Sequence, residues 1–345
     1  MSEPTAADGR GGWTEPGAWP VRPGVHRIPL PVPAAGIGAV NAYLIDDQGG
    51  PVLIDPGWAQ PATEQALGAA LRTLGYTLDD VASILVTHAH KDHYTQALDL
   101  RRRFGAQVRL GRGERAAVAA HRSADGEVVE AIAVLRRCGA DKLADVLAES
   151  LGARPPADLP TGMPDEWLDH GEKVGLAARK LDVFATPGHT RGHIVFRDAA
   201  AGLLFAGDHV LPHIVPALDA EPLCTAVPLR DFLASLELVR GMSDTLLLPA
   251  HGPVVESTHR RVDELLDYHG RRLDAAIAHV RAGRRTAFAV AAATPWARRG
   301  RSLGELAPVV QALAVRETAA QLALLADRGV LRRYDADGVD EYEFA

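Results

Sequence analysis

The run Ile84-Leu85-Val86-Thr87-His88-Ala89-His90-Lys91-Asp92-His93 decides how the rest of the chain is read. An apolar segment, Ser83 to Val86, gives way at once to three histidines and an aspartate within six positions. This reads as a short buried strand that ends in a polar loop. Under period-two geometry His88 and His90 leave the strand end on the same side, and Asp92 and His93 continue around the turn into a helix. A lone histidine beside a strand is most simply a satisfied polar group. Three imidazoles and a carboxylate this close are better explained by a bound divalent metal, because first-row ions take such nitrogen and oxygen donors.

Upstream, Asn41 to Asp46 and Pro51 to Ile54 read as short strands joined across Asp47-Gln48-Gly49-Gly50, a strong hairpin signal, with Asp55 directly after the second strand. Val25 to Leu30 reads as an edge strand interrupted by Pro29. Residues 1 to 23 are rich in Gly and Pro and read as a flexible leader. Pro61 to Gly75 and Thr95 to Phe104 carry apolar residues at helical spacing, and Gln107 to Leu110 is the next strand. Strand, helix and strand alternate, which indicates a layered α/β core. Downstream, Leu181 to Phe184, His193 to Phe196, Leu203 to Ala206 and Leu246 to Leu248 read as strands, and Pro228 to Arg240 as an amphipathic helix.

These pieces, in this order, resemble the metallo-β-lactamase-fold hydrolases, a group that includes glyoxalase II-like thioesterases, lactonases and RNA-processing nucleases. Besides the HxHxDH run, the resemblance rests on Asn41 to Asp46 with Val52 to Gly57, on Thr186-Pro187-Gly188-His189-Thr190, on Ala206-Gly207-Asp208-His209 and on Pro249-Ala250-His251-Gly252-Pro253. It implies a four-layer αββα fold. It also implies that His88, His90 and His189 hold one metal, that Asp92, His93 and His251 hold the other, and that Asp208 bridges. Asp55 is implied as the carboxylate that orients a ligand from behind, and Asp92 and Asp208 as the carboxylates that act in catalysis. Two divalent ions are thus expected, zinc first, with iron or manganese compatible with the same donors. Two metals close together lower the pKa of a bridging water and hold the hydroxide in line with an electrophilic carbonyl. His193 is expected to support the site, and His209 and His213 are left outside the ligand set.

The chain has 345 residues and a net charge of −7, so nothing in its overall charge favours nucleic acid or an anionic membrane. Cys138 and Cys224, its only cysteines, form neither a disulfide framework nor a nucleophile pair, and point to a reducing cytoplasm. No segment reads as long and apolar enough to span a membrane. Residues 111 to 180 read as an insertion over the cleft, with helical pieces at 114–121, 128–137 and 142–151; His121, Arg122, Arg136, Arg137, Met163 and Trp167 are its candidates for facing the pocket.

After His251, Thr258 to Arg281, Phe288 to Ala293, Leu303 to Ala314 and Glu317 to Asp327 read as helices, followed by a hairpin around Asp335 to Gly338. This resembles a winged-helix-like C-terminal module of some glyoxalase II-like and endoribonuclease members. The expected domains are therefore a leader (1–23), a catalytic unit (24–257) and this module (258–345). Arg281, Arg284, Arg285, Arg298, Arg299 and Arg301 form a basic neighbourhood, yet the candidate recognition helix is rich in Ala and Leu. That favours packing or homodimerisation over nucleic-acid binding. The expected activity is hydrolysis of a small acyl compound, a thioester before an ester or lactone. A phosphodiesterase or endoribonuclease is the alternative; a β-lactamase or a non-catalytic regulator ranks below both.

Overall fold

The computed structural model describes residues 12–33, 38–120, 124–152, 159–218, 227–296 and 300–345. Its first sheet has seven strands in sequence order: β1 (Trp19–Arg22), β2 (Val25–Pro31), β3 (Ala39–Ile45), β4 (Val52–Ile54), β5 (Ser83–Val86), β6 (Gln107–Gly111) and β7 (Glu166–Leu168). The β1 to β4 neighbours are antiparallel, and β4 to β7 run parallel. The second sheet has five strands, β8 (Lys173–Gly175), β9 (Lys180–Ala185), β10 (Ile194–Asp198), β11 (Leu203–Gly207) and β12 (Leu246–Pro249), in the order β12-β11-β10-β9-β8.

Alternation along the strands sorts their side chains between two cores. On β3, Val40, Ala42 and Leu44 face the helices α1 (Pro61–Thr73) and α2 (Lys91–Phe104), where Leu67, Leu71, Leu98 and Leu100 meet them. Tyr43 and Ile45 face the other way, into the layer between the sheets, with Val183, Phe196, Phe205 and Leu248 from the second sheet. The far side of the second sheet (Val195, Leu204, Ala206, Leu247) is covered by α6 (Pro228–Arg240) and α7 (Thr258–Arg281) through Phe232, Leu236, Val262 and Leu265. The result is the four-layer αββα sandwich.

Between β6 and β7 lie α3 (Arg115–Ala120), α4 (Ala124–Arg137) and α5 (Asp141–Gly152). Leu135, Leu143 and Leu147 join one core with the C-terminal unit: α8 (Ala287–Ala293), α9 (Pro308–Asp327) and the hairpin β13 (Leu331–Ala336) and β14 (Val339–Phe344). The hairpin turns at Asp337 and Gly338, both with positive φ, as a two-residue primed turn requires. Arg136 pairs with Asp145 at 2.6 Å, and Arg137 with Asp340, so both arginines face acidic residues on helix and hairpin. Trp167 packs against the helix-covered face of the first sheet, and Met163 is exposed. His121, Arg122, Arg298, Arg299 and Cys224 lie outside the described residues.

Four details differ from the sequence reading. β2 is an inner strand, because β1 takes the edge; β1 reaches only Val25 to Arg27, so Pro29 faces no partner that needs its missing N–H. The described part of residues 1–23 carries a 3-10 turn at Gly12–Thr14 and the strand β1. The segment expected to be inserted also supplies β7 and β8. Finally, one helix from Pro308 to Asp327 stands where two were expected at 303–314 and 317–327, since neither Gly nor Pro interrupts Val309 to Asp327, and Leu303–Glu305 is a separate 3-10 turn. By length and composition α9 is apolar enough to cross a membrane, although 44% of its most apolar window is buried inside the fold, with Val315, Leu322 and Leu325 in the core.

Phe205 is buried in the layer between the sheets, its ring edge-on to Tyr43 at 5.4 Å. Truncation of Phe205 to Ala should cost about 3–5 kcal/mol of unfolding free energy in a denaturant titration. A loss below about 1 kcal/mol would show that the layer collapses around the gap.

Candidate metal centre

All the candidate ligands sit where strands end. β5 stops at Val86 and releases Thr87 and His88; His90 caps α2, whose first turn holds Asp92 and His93. The turn after β9 carries His189, the end of β11 carries Asp208, and the end of β12 carries His251. The first sheet thus supplies four of these groups and the second sheet three. Gly207 lets the sheets close here: a Cβ on it would lie 2.6 Å from the Thr87 hydroxyl and 2.7 Å from His193 Nε2. Its φ of +50° is also one that glycine adopts freely.

Three overlapping triads bring ligand atoms within 4.8 Å of one another: His88, His90 and His189; His88, His93 and Asp208; and Asp92, His93 and His251. Asp208 stands between the outer two. Its Oδ2 is 3.4 Å from His189 Nε2, while its Oδ1 is 3.4 Å from His251 Nε2 and 3.7 Å from His93 Nε2. His88 Nε2, His93 Nε2 and Asp208 Oδ1 are buried with no hydrogen-bond partner, a costly arrangement for polar atoms unless a cation meets them. Neutral imidazoles and carboxylates are the donors that divalent first-row ions accept, so the residues fit a dinuclear centre.

On His88, His93, His189 and His251 the other ring nitrogen is engaged from behind, and this fixes which nitrogen faces inward. His189 Nδ1 donates to the Ala217 carbonyl and His251 Nδ1 to the Ala39 carbonyl, each at 2.7 Å. His93 Nδ1 donates to Asp55 Oδ2 at 3.0 Å. Asp55 Oδ2 also accepts from the Thr87 hydroxyl at 2.7 Å, which leaves the Thr87 oxygen to accept from His88 Nδ1 at 3.0 Å. Asp55 Oδ1 takes the Thr87 N–H at 2.8 Å. Such partners orient metal-binding imidazoles and raise their basicity.

Burial is the main force on the imidazoles. It holds His88 well below its ordinary pKa and brings His90 to about 3, with neighbouring imidazoles adding to both, so these rings are neutral. Burial also opposes charge on His93, but Asp92, Asp55 and Asp208 outweigh it and push this ring up to about 10. The carboxylates of Asp92 and Asp208 are desolvated too, yet His93 and His251 hold both below the usual range. A proton on His93 thus stands in for positive charge that the three carboxylates demand.

Every expected ligand is in this cluster, with Asp55 behind it. His193 is buried and supports it: Nδ1 bonds the Thr186 hydroxyl at 2.8 Å, and Nε2 accepts the Asp208 N–H at 3.1 Å. His209 packs its ring against Phe232 and joins no triad. Sequence reading passed over Thr87; its place between strand and first histidine was the available signal. The carbonyls of Ala39 and Ala217 left no signal, since any residue supplies one. Replacing Asp55 with Ala should weaken metal binding about 10- to 100-fold in a chelator competition. Unchanged affinity would show that Asp55 does not set the ligands in front of it.

Residues 35–265 match the metallo-beta-lactamase superfamily. A metallo-beta-lactamase family protein from Thermus thermophilus superposes with a TM-score of 0.77 at 26% identity, over 94% of this chain and 99% of that one. A beta-lactamase domain protein from Burkholderia ambifaria does so with a TM-score of 0.74 at 27% identity, over 98% and 96%. At these coverages both alignments must include part of the C-terminal unit. In sequence the chain is 22% identical to a beta-lactamase-like protein 2 homolog of Caenorhabditis elegans over 67% of its length, and spans 62% of that relative. It is 29% identical to a hydroxyacylglutathione hydrolase of Stenotrophomonas maltophilia over 60% of its length, and spans 58% of that one. On the family match and the donor cluster together, the chain belongs to the metallo-beta-lactamase superfamily and is a metal-dependent hydrolase.

Proposed function

We propose that this hydrolase cleaves a small acyl compound, a thioester in preference to an ester or lactone, and that it belongs to the glyoxalase II-like branch. The observation that carries the reading is Asp208, which turns one oxygen to each of the two outer triads. In this reading His88, His90 and His189 hold one ion, Asp92, His93 and His251 the other, and Asp208 both; zinc is the first choice. Two such ions supply Lewis acidity for a carbonyl and acidify water at neutral pH.

The chain's own groups do the rest. With ions bound, the carbonyls of Ala39 and Ala217 and the carboxylate of Asp55 would hold the Nδ1 protons of His251, His189 and His93 and leave each Nε2 to face inward. Asp92, whose side chain is partly open to solvent and lies 3.4 Å from His251 Nε2, receives the proton of the attacking water and passes it to the leaving sulfur or oxygen. No side-chain nucleophile is needed, and Cys138 is buried in the helical core. The relatives named hydroxyacylglutathione hydrolase support the thioester choice, since an acylglutathione is a thioester.

We read residues 24–257 as the catalytic unit and 258–345 as a winged-helix-like module, although α7 reaches across the boundary to pack on α6. Two arginines of the basic neighbourhood make contacts within the module, Arg281 over the Phe344 ring at 5.3 Å and Arg285 on the Tyr334 hydroxyl at 3.0 Å. This supports packing as the module's role.

Assay of the metal-loaded protein on acyl-CoA, acylglutathione, lactone, β-lactam and single-stranded RNA tests the proposal. Thioester turnover that falls to background in Asp208→Ala is the expected result. Turnover of RNA or β-lactam alone would overturn it.

A further inference from the structure

Glu114 ends the single 3-10 turn Arg112–Glu114 that follows β6, and its side chain is fully buried. Its Oε1 accepts the Gly192 N–H at 3.0 Å and the Thr190 hydroxyl, both from the turn that carries His189. Thr190 is itself fully buried and directly follows that histidine. The two backbones touch. A Cβ on Gly192 would lie 2.0 Å from the Glu114 nitrogen, one on Gly113 2.6 Å from Gly192 Cα, and one on Gly111 2.4 Å from the Gly192 oxygen. Three glycines at one crossing bring a carboxylate onto donors 76 and 78 residues away in sequence.

A buried carboxylate is expensive unless donors surround it, so its place here has to be matched by what it holds. What it holds is the backbone just past His189. The ring of His189 is fixed separately, by the Ala217 carbonyl. Between them these two contacts determine where His189 Nε2 points, at 3.1 Å from His90 Nδ1 and 3.4 Å from Asp208 Oδ2. Glu114 also stands directly before the α3 to α5 segment, so it ties that segment to the metal centre.

We propose that Glu114 is a positioning residue for His189, and through it for the ion held by His88, His90 and His189. The inference rests on the ligand role read for His189 above. Its test uses the full chain, stripped with a chelator and reloaded with Co(II) or Zn(II), with ion stoichiometry, chelator competition and the cobalt visible spectrum as readouts that need no substrate.

Glu114→Ala should bind one of two ions at least about 10-fold more weakly, with a changed cobalt spectrum, while Glu114→Gln, which keeps the acceptor oxygen, stays close to the parent. A Glu114→Ala protein that holds both ions as tightly as the parent, with the same spectrum, overturns the inference and leaves the functional reading standing. So does a Glu114→Gln protein as impaired as Glu114→Ala. A parent that binds no ions overturns both. If Glu114→Ala does not fold, the near-isosteric Thr190→Val decides: weaker binding of one ion supports the proposal, and parent-like binding of both contradicts it.

Discussion

One carboxylate, that of Asp55, sits behind the whole centre. It takes the ring N–H of His93 directly and that of His88 through the Thr87 hydroxyl, so one side chain sets the tautomer of an imidazole in each of the two outer donor triads. Its position is not incidental to the fold. Asp55 follows β4 with a φ of +51°, a conformation that Asp tolerates better than most residues, and its N–H bonds the Leu85 carbonyl of the neighbouring strand at 3.1 Å. The parallel pairing of β4 with β5 therefore fixes the distance between Asp55 and the histidine run.

The same logic extends across the sandwich. Ligands from the first sheet can meet those from the second only if the sheets hold a fixed register, and polar ties complement the apolar layer between them. Asn41 on β3 donates to the carbonyls of Pro249 at 3.0 Å and Gly252 at 2.8 Å, and Tyr43 to that of Pro249 at 2.8 Å. His251 lies between those two carbonyls in sequence. Arg27 in turn donates to the Asn41 side chain at 3.0 Å, so hydrogen bonds link β2, β3 and the His251 turn. A site assembled from two sheets needs such ties, because even a small relative shift would separate the Asp208 oxygens from their partners.

Much of this was legible in the sequence because the chemistry is concentrated. His88, His90, Asp92 and His93 crowd six positions after an apolar run, and His189, Asp208 and His251 each follow a strand with glycine beside them. The short apolar runs that become β3 and β5 were equally plain. The partners that orient the ligands were harder to see. Backbone carbonyls have no residue identity, and Glu114 has no local pattern to mark it, since its donors lie across a long insertion. The place of α4 and α5 also escaped, because their apolar stripes show that they are covered and not by what; the cover is the C-terminal unit. The expected ranges left out Val315 and Arg316, although neither residue breaks a helix and both lie within α9.

The most direct test of a two-ion centre tied together by Asp208 is anomalous diffraction from crystals of the loaded protein, collected on both sides of the zinc absorption edge. Two peaks are expected, one among His88, His90 and His189 and one among Asp92, His93 and His251, with Asp208 between them. A single peak, or peaks away from these residues, would contradict the two-ion centre.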